Sequence, residues 1–175
     1  ESIAAMADLN VDTSAMNLHQ LRQLIRDRVV SKSEVGLSLL FQSFGFKGSI
    51  PIDSDFVFDV RCLPNPYWQV ELREFTGKDQ PIQDYLGQHN EVAQMLSDIK
   101  QFVTNWLPHF ESNNRSYLTI SIGCTGGKHR SVYLAEQLQQ HFSNILADVQ
   151  VRHRELDVNG QQSKNREKAD SASNT

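Results

Sequence analysis

Cysteine is scarce in this chain: its 175 residues contain two, Cys62 and Cys124. Two thiols exclude a disulfide scaffold and a cysteine-built zinc site, and they suit a reducing cytosol. Long apolar runs are missing as well. No stretch approaches the ~18 residues of a membrane span and no secretory signal is visible, so a cytoplasmic protein without membrane attachment is expected. There is no surplus of positive charge, the formal net charge being −4. Bulk charge therefore offers nucleic acid no attraction, and any such binding has to come from local clusters. There is no internal repeat. What is present, 39% apolar and 22% charged residues, is ordinary for one folded domain with a sizeable core. The first residue is Glu1 rather than methionine, so the chain is read as a piece of a longer protein.

One stretch organises the rest: Tyr117 to Gln137, YLTISIGCTGGKHRSVYLAEQ. Leu118, Ile120 and Ile122 alternate with Thr119 and Ser121, the period of a strand. Leu134, Leu138 and Phe142 then recur at helical spacing. Between them lies Gly123-Cys124-Thr125-Gly126-Gly127-Lys128-His129-Arg130-Ser131. Glycines let the backbone turn tightly and direct N–H groups into the bend, and the helix aims its positive end at the same place. Lys128, His129 and Arg130 add cations, while Thr125 and Ser131 add hydroxyls. The combination predicts a cradle for a phosphate-like oxyanion. The bland alternative is a tight turn with solvated basic residues.

Upstream, Ala7 to Ser14 has the look of a strand end belonging to a preceding domain, and Asp12, Thr13 and Ser14 are candidate helix caps. Leu18, Leu21, Ile25 and Val29 mark one helix face; Arg22, Arg26 and Arg28 lie largely off it. Leu39 to Phe46 predicts a strand, Gly48 to Pro51 a turn, and Phe56 to Arg61 a buried central strand ending in a cleft. Asp59 and Arg61 are either site residues at that carboxyl end or a structural ion pair. Residues 64–89 hold three of the five prolines and read as one long loop, a lid or a binding loop. Val92 to Leu107 keeps a helical period that Pro108 closes. A last strand is expected over about Asp148 to Arg154, with Val149 and Val151 inward, and disorder from about Asp157.

The central loop admits three chemistries. A nucleotide P-loop fails, because Ile122 replaces the first glycine and His129 follows Lys128 where Ser or Thr belongs. A cysteine phosphatase keeps the Cys-x5-Arg-Ser spacing of Cys124, Arg130 and Ser131 but shows no general acid beyond guesses at Asp59 and Asp79. The third is a binding site for a small phosphorylated ligand without turnover. His129 has no partner at metal-ligand spacing, so no metal is expected.

GLSLLFQSFGFK, FVFDVR, LPNPYW, YLTISIGCTGGKHRSVYLAEQL and VRHR together resemble the RapZ/YvcJ family of bacterial RNase adapter proteins, from about Arg26 to Arg154. The resemblance implies an α/β domain with a mainly parallel sheet flanked by helices, similar to a phosphofructokinase subdomain. It implies that residues 1–16 are the remnant of an upstream nucleotide-binding domain, that 17–156 form the RNA-binding and ligand-sensing domain, and that 157–175 are a polar tail. ATP or GTP would belong to the missing domain, so this stretch is expected to carry no cofactor and no catalysis. Implied partners are a small regulatory RNA, RNase E, glucosamine-6-phosphate and further copies of the chain. For the phosphosugar, the implied residues are Asp59, Arg61, Asn65, Tyr67, Cys124, Thr125, Gly126, Gly127, His129 and Arg130. For RNA, the cations in this sequence offered as contacts are Lys128, Arg152, Arg154, Lys164, Arg166 and Lys168, with a second patch at Arg22, Arg26, Arg28 and Lys32. Two departures stand out. Tyr67 replaces a histidine common in the family, and the tail sets three cations against Glu167 and Asp170, where short family tails are strongly basic.

Overall fold

The structure is a computed structural model that describes residues 36–113 and 115–156, together with Thr13, Met16, Asn17, Gln20, Leu21 and Leu24. The chain divides into two compact units, Glu1–Val35 and Gly36–Thr175. In the first, Gln20, Leu21 and Leu24 are helical. The Asn17 side chain accepts from Gln20 N–H and the Gln20 side chain from Asn17 N–H, both at 2.9 Å. This reciprocal capping box makes Asn17 the cap, in place of the expected Asp12, Thr13 or Ser14. The strand end expected from Ala7 lies outside the described residues.

The second unit carries a four-stranded parallel sheet flanked by helices, an α/β fold. Its strands are β1 (Ser38–Gly45), β2 (Phe56–Asp59), β3 (Tyr117–Cys124) and β4 (Val149–His153), in the order β2-β3-β1-β4. Its helices are α1 (Gln80–Gly87), α2 (Asn90–Ser112) and α3 (Arg130–Phe142). β1 and β3 pair along their whole lengths, from Ser38↔Tyr117 to Gly45↔Cys124. Both are buried on both faces: Leu39, Phe41, Leu118, Ile120 and Ile122 on one, Gln42, Thr119 and Ser121 on the other. The crossovers β2→β3 and β3→β4 run the same way across the sheet, so right-handed connections set α2 and α3 on one face. Phe102 and Phe110 of α2 meet Phe56 edge-on, and Phe142 of α3 packs on Phe41. The segment between β1 and β2 carries no helix. It is held to the sheet by Ser54 Oγ at 2.6 Å from Ser121 Oγ and by the Asp55 carboxylate, which accepts Thr119 N–H at 2.8 Å and pairs with Arg115.

Four expectations need correction. Phe56–Arg61 is not a central strand: β2 lies at an edge beside β3 alone, ends at Asp59 and alternates half-buried Phe56 and Phe58 with exposed Val57 and Asp59. The turn before it closes at Gly45–Gly48 (Gly48 N–H to Gly45 carbonyl, 3.0 Å), ahead of the expected Gly48–Pro51. The stretch 64–89 is not one loop. It contains single 3-10 turns at Pro66–Trp68 and Val70–Leu72 and the helix α1, in whose first turn Pro81 sits without loss because that N–H has no helical partner. Pro108 does not end α2, which continues to Ser112. Pro108 and Thr104 are exposed, so the carbonyl freed four residues back faces solvent, while half-buried Phe110 holds the last turn to the core. β4 forms as expected, with Val149 and Val151 against the core. The tail from Asp157 lies outside the described residues.

A polar cluster ties β1, β4 and α3 together. The buried His153 ring places Nδ1 2.9 Å from Ser43 Oγ and Nε2 2.8 Å from Glu136 Oε1, and Lys78 Nζ reaches the same carboxylate oxygen at 3.1 Å. Burial pushes the Glu136 carboxyl up, but the bonds from His153 and Lys78 prevail and hold it below the ordinary glutamate range. A carboxyl with a depressed folded pKa contributes stability above its unfolded pKa and loses it as pH falls through the folded one. Glu136→Gln should therefore destabilise by about 2 kcal/mol at pH 7. Urea titrations should find that gap closing below pH 4.

Candidate functional site

β3 lies inside the sheet, and its carboxyl end delivers the loop Thr125–His129 to the start of α3. Ligands of open α/β sheets collect at this edge. β1 backs the loop: Phe46 N–H donates to the Cys124 carbonyl at 2.9 Å and Lys47 N–H to that of Thr125 at 3.1 Å. The Cys124 thiol is buried, 3.1 Å from Ser131 Oγ.

The two loop glycines have different reasons to be glycine. Gly127 has φ +67°, and a side chain there would collide with the Glu155 carboxylate and Gly45 N. Gly126 has neither constraint: an added Cβ would meet nothing within 4 Å. It borders a cleft of about 360 Å³, so the missing side chain leaves loop backbone open to an occupant.

Of the ten residues expected to hold a phosphosugar, seven line this cleft: Cys124, Thr125, Gly126, His129 and Arg130 from the loop, Asn65 and Tyr67 from the facing wall. Gly127 turns toward Glu155 instead. Asp59 and Arg61 also lie outside the lining. They form the ion pair that was their other reading: Arg61 Nη2 is 2.6 Å from Asp59 Oδ2, and its Nε is 3.0 Å from both carboxylate oxygens. This bond to Arg61 holds the Asp59 carboxyl below the ordinary range. The Arg61 guanidinium stacks on Phe46 at 4.1 Å.

Arg130 and His129 set the character of the cleft floor. Arg130 is 4% exposed; its Nη1 donates to the carbonyls of Arg61 (2.8 Å) and Leu63 (2.9 Å), and its Nη2 to Thr125 Oγ1 at 3.3 Å. Its buried Nε has no partner among the described residues, nor does Nε2 of His129, which is 7% exposed. Buried polar nitrogens are rarely left unpaired without a reason. Burial, then Lys128, and more weakly Arg130, hold the His129 imidazole below its usual pKa.

Lys128, one of the cations expected at the cradle and also assigned to RNA, has its ammonium in the cleft wall, where it donates to the Arg73 carbonyl at 2.8 Å. Lys47, Arg73 and Glu74 line the cleft and were not foreseen. Lys47 had a readable signal, two residues past the carboxyl end of a strand. Arg73 and Glu74 fall within the stretch 64–89 expected to act as a lid or binding loop, which singled out neither residue. Of the other residues assigned to RNA, Arg152 is exposed on β4. Arg154 is turned inward, donating to the Ser49 carbonyl and to Glu155 and packing over Phe44. Lys164, Arg166 and Lys168 lie outside the described residues, as do Arg22, Arg26, Arg28 and Lys32. Among the described residues, no group of three or more His, Cys, Asp or Glu is arranged to hold a metal ion. No helix among them is long and apolar enough to cross a membrane.

The two glycines give a paired test. Gly126→Ala should unfold like the unaltered chain yet bind sulfate more weakly in calorimetry. Gly127→Ala should lose at least about 1–2 kcal/mol of stability, from the left-handed backbone alone.

The model of the RapZ C-terminal domain family matches residues 37–157. A protein named nucleotide-binding protein from Nitrosococcus oceani is 55% identical over 155 residues, which cover 89% of this chain and 55% of that protein. Its namesakes from Cellvibrio japonicus and Hahella chejuensis are 52% and 55% identical over 156 residues, covering 89% of this chain and 52% and 54% of theirs. The chain thus spans about half the length of the curated relatives it matches. With its parallel sheet and glycine loop inside the matched segment, the chain belongs to the RapZ C-terminal domain family.

Proposed function

We propose that this domain is an RNA-binding adaptor of the RapZ type whose loop cleft holds a phosphorylated small ligand. The observation that carries the ligand half is the cleft floor: open backbone at Gly126 beside two buried, unpartnered nitrogens, His129 Nε2 and Arg130 Nε, at the start of α3. A helix start with N–H groups and cations favours an oxyanion there. Lys47, Arg73 and Lys128 add positive charge around it, and Asn65, Tyr67 and Glu74 offer partners for hydroxyl or amino groups of a sugar. Glucosamine-6-phosphate is the ligand in this reading. The adaptor half rests on family membership: a small regulatory RNA bound by the domain and presented to RNase E, in the cytoplasm, by a homo-oligomer. Nucleotide binding, part of the relatives' names, belongs in this reading to a domain upstream of residues 1–16 and not to this cleft.

The phosphatase reading is less favoured. The Cys-x5-Arg spacing would need the guanidinium free for a phosphate, whereas Nη1 of Arg130 is held by two main-chain carbonyls. Cys124 is then a packing residue that meets Ser131.

An electrophoretic RNA-binding assay with and without glucosamine-6-phosphate tests both halves. A structured small RNA should shift at low salt, and the phosphosugar should alter the shift. If no structured RNA binds even at low salt, the adaptor half is wrong. A second measurement isolates the floor. Sulfate keeps its charge between pH 5 and 8, so its affinity should rise as pH falls if a bound anion favours protonated His129. Titration calorimetry should find that slope lost in His129→Asn.

A further inference from the structure

The cations of the cleft wall bond to the main chain of one surface segment. Lys128 Nζ donates to the Arg73 carbonyl at 2.8 Å. Arg73 Nε donates to the Tyr67 carbonyl at 2.9 Å, and its guanidinium lies over the Tyr67 ring at 4.9 Å. Lys128, Arg73 and Tyr67 all line the cleft. Beyond them the segment turns its apolar side chains to solvent: Trp68 is 77% exposed and Val70 69%. The wall is fixed behind this point. Gly77 N–H donates to the Lys128 carbonyl at 2.9 Å, and a side chain at Gly77 would strike α3.

From this we infer that Arg73 is a ligand-binding residue of the cleft and that, with Lys128, it is the link by which an occupant moves the Tyr67–Trp68 surface. The inference rests on the reading of the cleft as an anion site. Both cations now donate to neutral carbonyls. An anionic oxygen forms hydrogen bonds roughly twice as strong, and a guanidinium takes two such oxygens at once. An arriving phosphate therefore draws Lys128 from the Arg73 carbonyl and Arg73 from the Tyr67 carbonyl. Each bond removed is one that ties down an end of the segment 67–73. The Trp68 face so presents one arrangement when the cleft is empty and another when it is filled, through differential contacts in the two states. Lys47 and Arg130 stay outside this link: Arg130 grips the carbonyls of Arg61 and Leu63, at the root of the segment.

Trp68 itself is the reporter. Trp106, on α2, lies outside the cleft lining, and Trp106→Phe leaves Trp68 as the single tryptophan. In that background the full chain is titrated with inorganic phosphate and with glucosamine-6-phosphate. Heat reports binding and Trp68 emission reports the surface. Both probes should bind and shift the emission. Arg73→Ala should weaken binding by about ten-fold. Arg73→Lys keeps the charge but loses the fork and the planar stacking, so it should still bind while its emission response falls away. Binding with unchanged Trp68 emission, or full affinity in Arg73→Ala, overturns the inference and leaves the anion site standing. If neither probe binds the unaltered chain, the anion site falls and this inference with it.

Discussion

Everything at the cleft depends on how one buried guanidinium is satisfied. Arg130 opens α3 at 4% exposure. A charge so placed is costly unless its donors find acceptors. Helix and strand supply few spare carbonyls, but the turn after β2 supplies two, at Arg61 and Leu63. Meeting the needs of one side chain thus pins the turn beyond the edge strand to the start of a helix on the neighbouring crossover. The wall carrying Asn65 and Tyr67 follows directly, and a cleft exists because this wall stands opposite the loop. Replacing Arg130 would remove more than a contact to a ligand. It would leave two carbonyls unpaired and free the wall.

The sheet explains why this constraint lands on a glycine loop. Parallel strands end together, so β1 and β3 bring Gly45 and Cys124 side by side. The strand–loop–helix unit then has a strand partner against its back. Gly45 admits no side chain because Gly126 and Gly127 lie within 3 Å of where its Cβ would be. With the back so closed, Gly127 facing Glu155 and Gly126 facing open space, the loop has only one side on which to receive anything.

Much of this was legible in the sequence, for local reasons. The period-2 pattern at Tyr117–Cys124, the 3.6 pattern of α2 and α3, and the glycine-cation cluster between strand and helix depend on nearby residues alone. What failed depended on distant partners. Phe56–Asp59 is apolar enough for a central strand, and only its single neighbour makes it an edge. Pro81 and Pro108 read as breaks, yet one occupies a first turn and the other faces solvent. Arg73 and Lys47 reach the cleft from connections whose course is set by the sheet. The bond that fixes Lys128 could not be read because its acceptor is 55 residues away. Asp59 and Arg61 are the instructive middle case: their spacing allowed a site or an ion pair, and in the structure they pair with each other outside the cleft lining.

The same distinction governs what the charge of −4 means. Among the described residues, two sets of basic side chains differ in how their charge is met. Arg61, Arg115 and Arg154 pair with the carboxylates of Asp59, Asp55 and Glu155, so their charge is balanced where they stand. Lys47, Arg73, Lys128 and Arg130 meet in one cleft with a single carboxylate, Glu74, among its lining. A summed charge weights both groups equally, whereas an anion approaching the surface feels mainly the second, since a charge paired at contact distance is largely cancelled a Debye length away. The chain can therefore be acidic overall and still focus positive potential at the mouth of its loop. The loop, the wall and the field share a cause: cations drawn together by main-chain carbonyls rather than by carboxylates keep their charge available.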